Sequence, residues 1–263
     1  MGKNSGIEWT IDTYNPTVGC RKISEGCDNC YAEKQHKRLR NMGLEKYNRP
    51  FDVVRLYEPH LDIPSRTKKP TVFFVNSMSD LFHSDLKESD LLKVFKEMNN
   101  NPQHIFQILT KRPLNIMGHN LNWSENIWLG VTIESAKYIH RAEILQEIPA
   151  KHKFISFEPL IESPLKYWPK SENSKQWLND HDCFKVDWII AGGETGSKAR
   201  EMLYSWALVL KEYSEFQNIP FFFKSWGSYP GRPFAPKDTF LDGKEYKQFP
   251  PEIAKLMEGK KKK

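Results

Sequence analysis

Six strand-length apolar runs, at 71–77, 105–111, 127–134, 153–159, 187–194 and 220–226, constrain this chain most. Each is rich in β-branched or aromatic residues, as in Thr71-Val72-Phe73-Phe74-Val75 and Pro220-Phe221-Phe222-Phe223. Near-continuous apolarity, without alternation, marks strands covered on both faces, which is the habit of parallel sheets. Stretches with helical spacing lie between them, at 89–98 (with Ser89 as a cap), 135–147 and 205–216. Successive strand starts fall roughly 20–35 residues apart, which suits βα units. A seventh strand fits at 6–13. Six or seven strands are too few for a closed eight-stranded barrel. They predict an α/β fold, either a partial parallel (β/α)6-type barrel or a doubly wound sheet.

The strand ends favour the barrel. Nearly every run finishes on polar or charged residues: Asn76, Ser77, Ser79 and Asp80; Thr110, Lys111 and Arg112; Thr132 and Glu134; Glu158; Glu194; Lys224 and Ser225. Parallel barrels carry their chemistry on that rim, whereas a doubly wound sheet concentrates it at one switch point. A strand end also turns polar simply on reaching solvent, but a whole series argues for more. Residues 161–185 are polar and read as a surface insertion, and 229–251 are proline-rich and read as an irregular C-terminal cap with a hairpin at 241–246. No linker divides the chain, so 1–263 is expected to form a single domain. Residues 1–45 would hold a cysteine loop and the first βα unit, 46–228 the remaining units, and 229–263 the cap and a basic tail.

The net charge is +6, and Lys260 to Lys263 supply part of it. This balance permits phosphate contacts without establishing them. No stretch reaches the ~20 apolar residues of a membrane span, and no apolar signal segment follows Met1, so a cytoplasmic protein with no membrane partner is expected.

Three of the four cysteines fall together as Gly19-Cys20-Arg21-Lys22-Ile23-Ser24-Glu25-Gly26-Cys27-Asp28-Asn29-Cys30-Tyr31, a Cys-x6-Cys-x2-Cys motif. Clustered thiols point to metal or redox chemistry. Thiolates suit zinc or an iron–sulfur cluster. Structural zinc takes four ligands, and the fourth would come from His36, Cys183 or another distant residue. Three cysteines alone leave one iron of a cluster open, which an enzyme that cleaves S-adenosylmethionine (SAM) requires. Gly19 and Gly26 let the loop bend around a bulky group.

Several segments together resemble a phage- and prophage-associated three-cysteine protein family that is radical SAM-like. They are Ile7-Glu8-Trp9-Thr10, Tyr14-Asn15-Pro16-Thr17-Val18-Gly19-Cys20, Val75-Asn76-Ser77-Met78-Ser79-Asp80, Leu109-Thr110-Lys111-Arg112-Pro113, Gly130-Val131-Thr132-Ile133-Glu134, Ser156-Phe157-Glu158-Pro159-Leu160, Gly192-Gly193-Glu194-Thr195-Gly196 and Phe223-Lys224-Ser225-Trp226-Gly227. The resemblance spans nearly the whole chain. It implies a partial barrel of the radical SAM kind and a [4Fe-4S] cluster on Cys20, Cys27 and Cys30. It further implies SAM as cofactor, with an electron donor such as flavodoxin or ferredoxin. The usual radical SAM loop is Cys-x3-Cys-x2-Cys with an aromatic residue before the last cysteine. Here the first gap is six, Asn29 stands in the aromatic position, and Tyr31 follows.

On that reading, rim position assigns the SAM contacts. Asn76, Ser77, Ser79 and Asp80 meet the amino-acid end, Lys111 or Arg112 a carboxylate or phosphate, and Glu134 and Glu158 the ribose or ammonium. Gly192, Gly193 and Glu194 allow close backbone approach, Lys224 closes the series, and Trp226 is a candidate for stacking on a base. His83 is the histidine nearest the Asp80 turn. The phage resemblance and the mild basicity point to a nucleic-acid base or nucleotide as substrate, in DNA modification. Two rivals remain open, a zinc-stabilised nucleic-acid-binding protein without catalysis and a DNA photoproduct-type repair lyase.

Overall fold

The computed structural model describes residues 5–164, 185–231 and 238–260. In chain order the strands are β1 (Asp12–Tyr14), β2 (Thr17–Val18), β3 (Arg55–Leu56), β4 (Val72–Val75), β5 (Ile105–Thr110) and β6 (Ile127–Thr132). Then come β7 (His152–Phe157), β8 (Trp188–Ala191), β9 (Phe221–Phe223), β10 (Phe240–Leu241) and β11 (Lys244–Glu245). The helices are α1 (Tyr31–Asn41), α2 (Ile63–Arg66), α3 (Glu88–Asn99), α4 (His140–Glu147), α5 (Tyr204–Gln217) and α6 (Pro251–Met257). Seven strands form one sheet in the order β1-β4-β5-β6-β7-β8-β9, and every neighbouring pair is parallel. The sheet is a partial barrel, as the strand series predicts. The seventh strand lies at the end of the stretch expected for it.

Two-residue periodicity sorts the strand side chains into two apolar layers. Phe73, Val75, Phe106, Ile108, Leu129, Val131, Ile155, Phe157, Ile189, Phe221 and Phe223 share a layer with helical residues such as Leu91, Phe95, Leu145 and Leu210. The alternate positions Val72, Phe74, Trp128, Phe154, Trp188, Ile190 and Phe222 form the inner layer with Trp9. Trp188 sits at its centre, edge-on to Trp9 and Phe222, and its Nε1 donates to the Gln248 carbonyl at 2.9 Å. The same parity continues past the strand ends through Asn76, Lys111, Thr132, Glu158, Glu194 and Lys224, so the inner face turns polar at the rim.

The C-terminal cap closes the open side. Residues 246–248 run antiparallel along β9, with Phe223 N–H donating to Tyr246 O (2.7 Å) and Gln248 N–H to Phe221 O (3.1 Å). This pairs an edge that would otherwise be exposed. α6 then carries Ile253 and Met257 into the inner layer beside Trp9. Lys247 reaches across to Glu8 at 2.6 Å. The predicted hairpin forms between β10 and β11.

Three local details differ from the sequence reading. α3 begins two residues earlier than a Ser89 cap implies, with Lys87 as its cap, so Ser89 lies inside the first turn. Residues 136–138 form a 3-10 turn that separates Ser135 from α4. The polar insertion falls mostly on 165–184, outside the described residues, as do Cys183 and the last three lysines of the tail.

Candidate functional site

A cavity of about 450 Å³ opens at the polar rim. Its apolar floor includes Trp9, Phe74 and Leu109, and one wall carries Cys20, Cys27 and Cys30. Of the predicted rim residues, Asn76, Ser77, Ser79, Asp80, Lys111, Glu158, Gly193, Glu194 and Lys224 all line it. Glu134 and Gly192 do not.

The cysteine loop is fastened to the rim from several strand ends. Arg112, after β5, donates to Arg21 O at 2.9 Å, and Arg21 pairs with Asp85. Glu134, after β6, is fully enclosed; it accepts from Ser24 Oγ and is paired with Arg141 at 2.7 Å and Lys111 at 3.6 Å. Glu194, after β8, accepts from Asn29 Nδ2 (3.0 Å) and from Arg200, whose Nη2 also donates to Glu25 O (2.7 Å). Lys137 and Tyr138 hold the Glu25 carboxylate and keep it at about 2, below the ordinary carboxylate range. Gly26 has a specific job here, because a Cβ on it would lie 2.5 Å from the Glu134 carboxylate. The loop can therefore rest on Glu134 only as glycine.

These contacts sharpen the roles of several predicted residues. Glu134 and Glu194 spend their oxygens on the loop and its arginines. Asp80 accepts from Thr110 Oγ1 (2.7 Å), Lys111 N–H (3.1 Å) and Phe82 N–H (3.0 Å), which fixes the turn after β4. Ser77 Oγ binds Asn15 Oδ1 (3.1 Å), and Ser79 Oγ meets Thr17 Oγ1 (2.8 Å). A Cβ on Gly193 would strike the Trp226 carbonyl at 2.1 Å, so this glycine packs two strand ends together. Trp226 is buried, stacked on Tyr204, and donates to Phe240 O at 2.8 Å, as a core tryptophan does.

Other groups keep polar capacity facing the cavity. Asn76 adopts a left-handed backbone (φ 60°), and its buried Nδ2 has no partner. Asparagine tolerates this conformation better than most residues, and the amide is left with an unused donor at the strand end. Glu158 and Lys224 pair across the cavity from the ends of β7 and β9. Tyr31 also lines it, its hydroxyl donating to Ser77 O.

His36 is buried against the rings of Tyr47 and Phe51, away from the cavity wall. It is not a fourth ligand. His83 is likewise buried and accepts from Asp85 N–H through Nδ1 at 3.1 Å. The three cysteines are free and half-buried. Among the described residues, no three His, Cys, Asp or Glu side chains converge tightly enough to grip a single ion. Burial, then the Asp80 charge, pushes the Cys20 thiol up to about 12. An anionic sulfur there calls for a cation beside it.

A family described as "Protein of unknown function (DUF5131)" matches residues 4–250. The chain belongs to the DUF5131 family. No curated protein matches it. Among solved structures, a spore photoproduct lyase variant with bound AdoMet and dinucleoside spore photoproduct is 12% identical, with a TM-score of 0.44 over 94% of this chain and 71% of that one. A second variant of that lyase is 13% identical, with a TM-score of 0.46 over 98% of this chain and 74% of that one. These are likenesses of chain path and carry nothing about chemistry.

In this DUF5131 chain, several anchors escaped the sequence reading: Ser24, Asn29, Arg141 and Arg200. Asn29 and Tyr31 mark where the motif departs from the usual radical SAM loop, and both departures have uses. Asn29 ties the loop to Glu194, and Tyr31 supplies the aromatic ring on the cavity wall. Arg141 and Arg200 lie seven and six residues after the acids they serve. An arginine six or seven residues behind a rim carboxylate is the signal that the sequence carries.

Proposed function

We propose that this protein is a radical SAM enzyme whose cluster is held by Cys20, Cys27 and Cys30. One observation carries the reading. Three soft thiols, Cys20, Cys27 and Cys30, share one wall of a cavity at the polar rim of the parallel strands. Zinc would need a compact four-ligand cage. A [4Fe-4S] cluster spreads its ligands wider, and three cysteines leave one iron for SAM. When bound, the pair supplies one-electron cleavage of SAM and a radical that starts chemistry on the substrate.

The chain's own residues then have distinct tasks. Glu134 with Arg141, and Glu194 with Arg200, fix the loop before any ligand arrives. Asn76, Lys111, Glu158 and Lys224 offer the donors and acceptors for the amino-acid and ribose groups of SAM. Trp9, Phe74 and Leu109 make a dry floor, and the cap over β9 shuts the side of the barrel. Excluding water protects a reactive intermediate from side reactions. The reductant is an external one-electron donor of the flavodoxin or ferredoxin type.

Anaerobic purification with metal analysis tests the reading. About four irons per chain, a brown chromophore, and loss of both in Cys27→Ala are expected, together with SAM binding that depends on the iron. A colourless protein holding one zinc, with no iron after anaerobic reconstitution, would overturn it.

A further inference from the structure

α1 starts at the cavity and runs away from it. Cys30 caps its N-terminus, and Tyr31 and Ala32 line the cavity wall. Ala32 and His36 face inward. The exposed side carries Lys34, Lys37, Arg38 and Arg40, and none of these makes an ion pair with a described residue. The helix's single carboxylate, Glu33, is paired with Lys22 at 3.6 Å. Lys34 leans toward the turn after β8, its Nζ 3.3 Å from where a Cβ on Gly196 would stand. Exposed Lys198 follows on that turn, and Thr195 lines the cavity.

Unpaired cations on a helix are often merely solvated. Three features make these more. They lie within about two turns of the cavity, roughly 10 Å along the axis. Lys34 and Arg38 repeat at one turn, about the spacing at which an extended strand presents phosphates. Tyr31 is 53% exposed, and its hydroxyl is pinned to Ser77 O, so its ring is held at the mouth. Fixed exposed aromatics beside a cationic track are how single strands are held without reading sequence.

We propose that the exposed side of α1, with Tyr31 and Lys198, docks a single-stranded nucleic acid. The cations grip successive phosphates, and one base turns into the cavity. An unpaired strand is favoured because a base inside a duplex would first have to be flipped out. A membrane is disfavoured because the exposed side of α1 has no apolar stripe. Met42 and Leu44 just beyond its end are exposed, so anionic lipid belongs among the controls. The destination of the base rests on the function proposed above, but the docking does not.

Fluorescence anisotropy with labelled single-stranded DNA and RNA oligonucleotides, the matching duplex, and phosphatidylserine vesicles, over a salt series, tests this. Single strands should bind with strong salt dependence, and the DNA and RNA arms report which sugar is accepted. The triple variant Lys34→Ala/Lys37→Ala/Arg38→Ala removes three phosphate contacts. At about 0.7 per contact, the log–log salt slope should flatten by about 2, so affinity at 0.1 M salt falls about a hundredfold. Iron content and SAM binding should be unchanged in that variant. Binding unaltered by the triple change, or as strong for duplex or vesicles, would refute the proposal, as would no salt-dependent binding at all. Protein that takes up no iron on anaerobic reconstitution yet still binds strands through these residues would sink the radical SAM reading alone.

Discussion

The buried Glu134–Arg141 pair should be the most sensitive point in the framework that holds the cysteine loop. Glu134 is completely enclosed, Arg141 is 3% exposed, and their closest atoms are 2.7 Å apart. Arg141 also donates to Thr132 O at 2.7 Å and lies over the Tyr138 ring at 4.1 Å. In Arg141→Met the carboxylate stays buried without its main partner. Breaking a buried pair from one side costs ~3–5 kcal/mol. Lys111 remains 3.6 Å away and Ser24 still donates, so the lower end of that range is expected. In a chain of this size, each kcal/mol shifts Tm by ~2–4 °C, which gives a fall of about 6–12 °C.

Thermal and urea unfolding of the apoprotein would measure this directly. Glu134→Gln alone should also destabilise, because it strands the guanidinium. The double variant Glu134→Gln/Arg141→Met strands neither charge, so its loss should be smaller than the sum of the singles by 1 kcal/mol or more. Additive losses, or a loss below 1 kcal/mol in Arg141→Met, would show that the pair does not organise this corner.

Three further outcomes follow from named contacts. Gly193→Ala places a methyl group 2.1 Å from the Trp226 carbonyl, and overpacking against backbone should cost ~3 kcal/mol or more, read as lost soluble yield or a lowered urea midpoint. Trp226→Phe removes the bond to Phe240 O and should cost about 1 kcal/mol, read as a lowered urea midpoint; no loss would show that this bond does not hold the residue in the core. Lys46 is buried, its Nζ 2.6 Å from Asn15 O, and burial, then the nearby Arg55 charge, brings its ammonium down to about 7. The unfolded chain binds that proton up to about pH 10.4, so stability should rise with pH between about 7 and 10 and be lost as pH falls through that window. Lys46→Met should flatten the slope, and an unchanged slope would exclude Lys46 as its source.

The strands were legible because burial on both faces leaves a composition that nothing else in this chain shares. The polar series at the strand ends favoured a barrel over a doubly wound sheet, and the sequential order of the seven parallel strands agrees with it. Helix starts were less legible: Ser89 is a good cap by type, yet the chain enters α3 through Lys87 in an extended conformation. At the site, residue types picked out strand ends that share one cavity but not how each oxygen is used. Glu134 and Glu158 look alike in sequence. One is sealed under Gly26 and bound to Arg141, while the other pairs directly with Lys224 and lines the cavity. That difference depends on what another part of the chain brings near, and strand-end spacing does not encode it.

The long first gap of the cysteine motif now has a physical account. Fixing six residues between two cysteines costs backbone entropy, ~1–2 kcal/mol for each, and contacts from elsewhere in the chain must offset it. Here Arg21, Ser24 and Glu25 are each held from the rim, by Arg112 and Asp85, by Glu134, and by Arg200, Lys137 and Tyr138. The anchors come from the ends of β4, β5, β6 and β8, so the loop is ordered by the barrel itself. Ser24→Ala combined with Arg200→Met should therefore loosen the loop in the apoprotein, raising amide exchange across residues 21–29 while the β5 and β6 amides stay protected. Exchange that was already fast in the unmodified apoprotein would mean that the rim contacts do not order the loop.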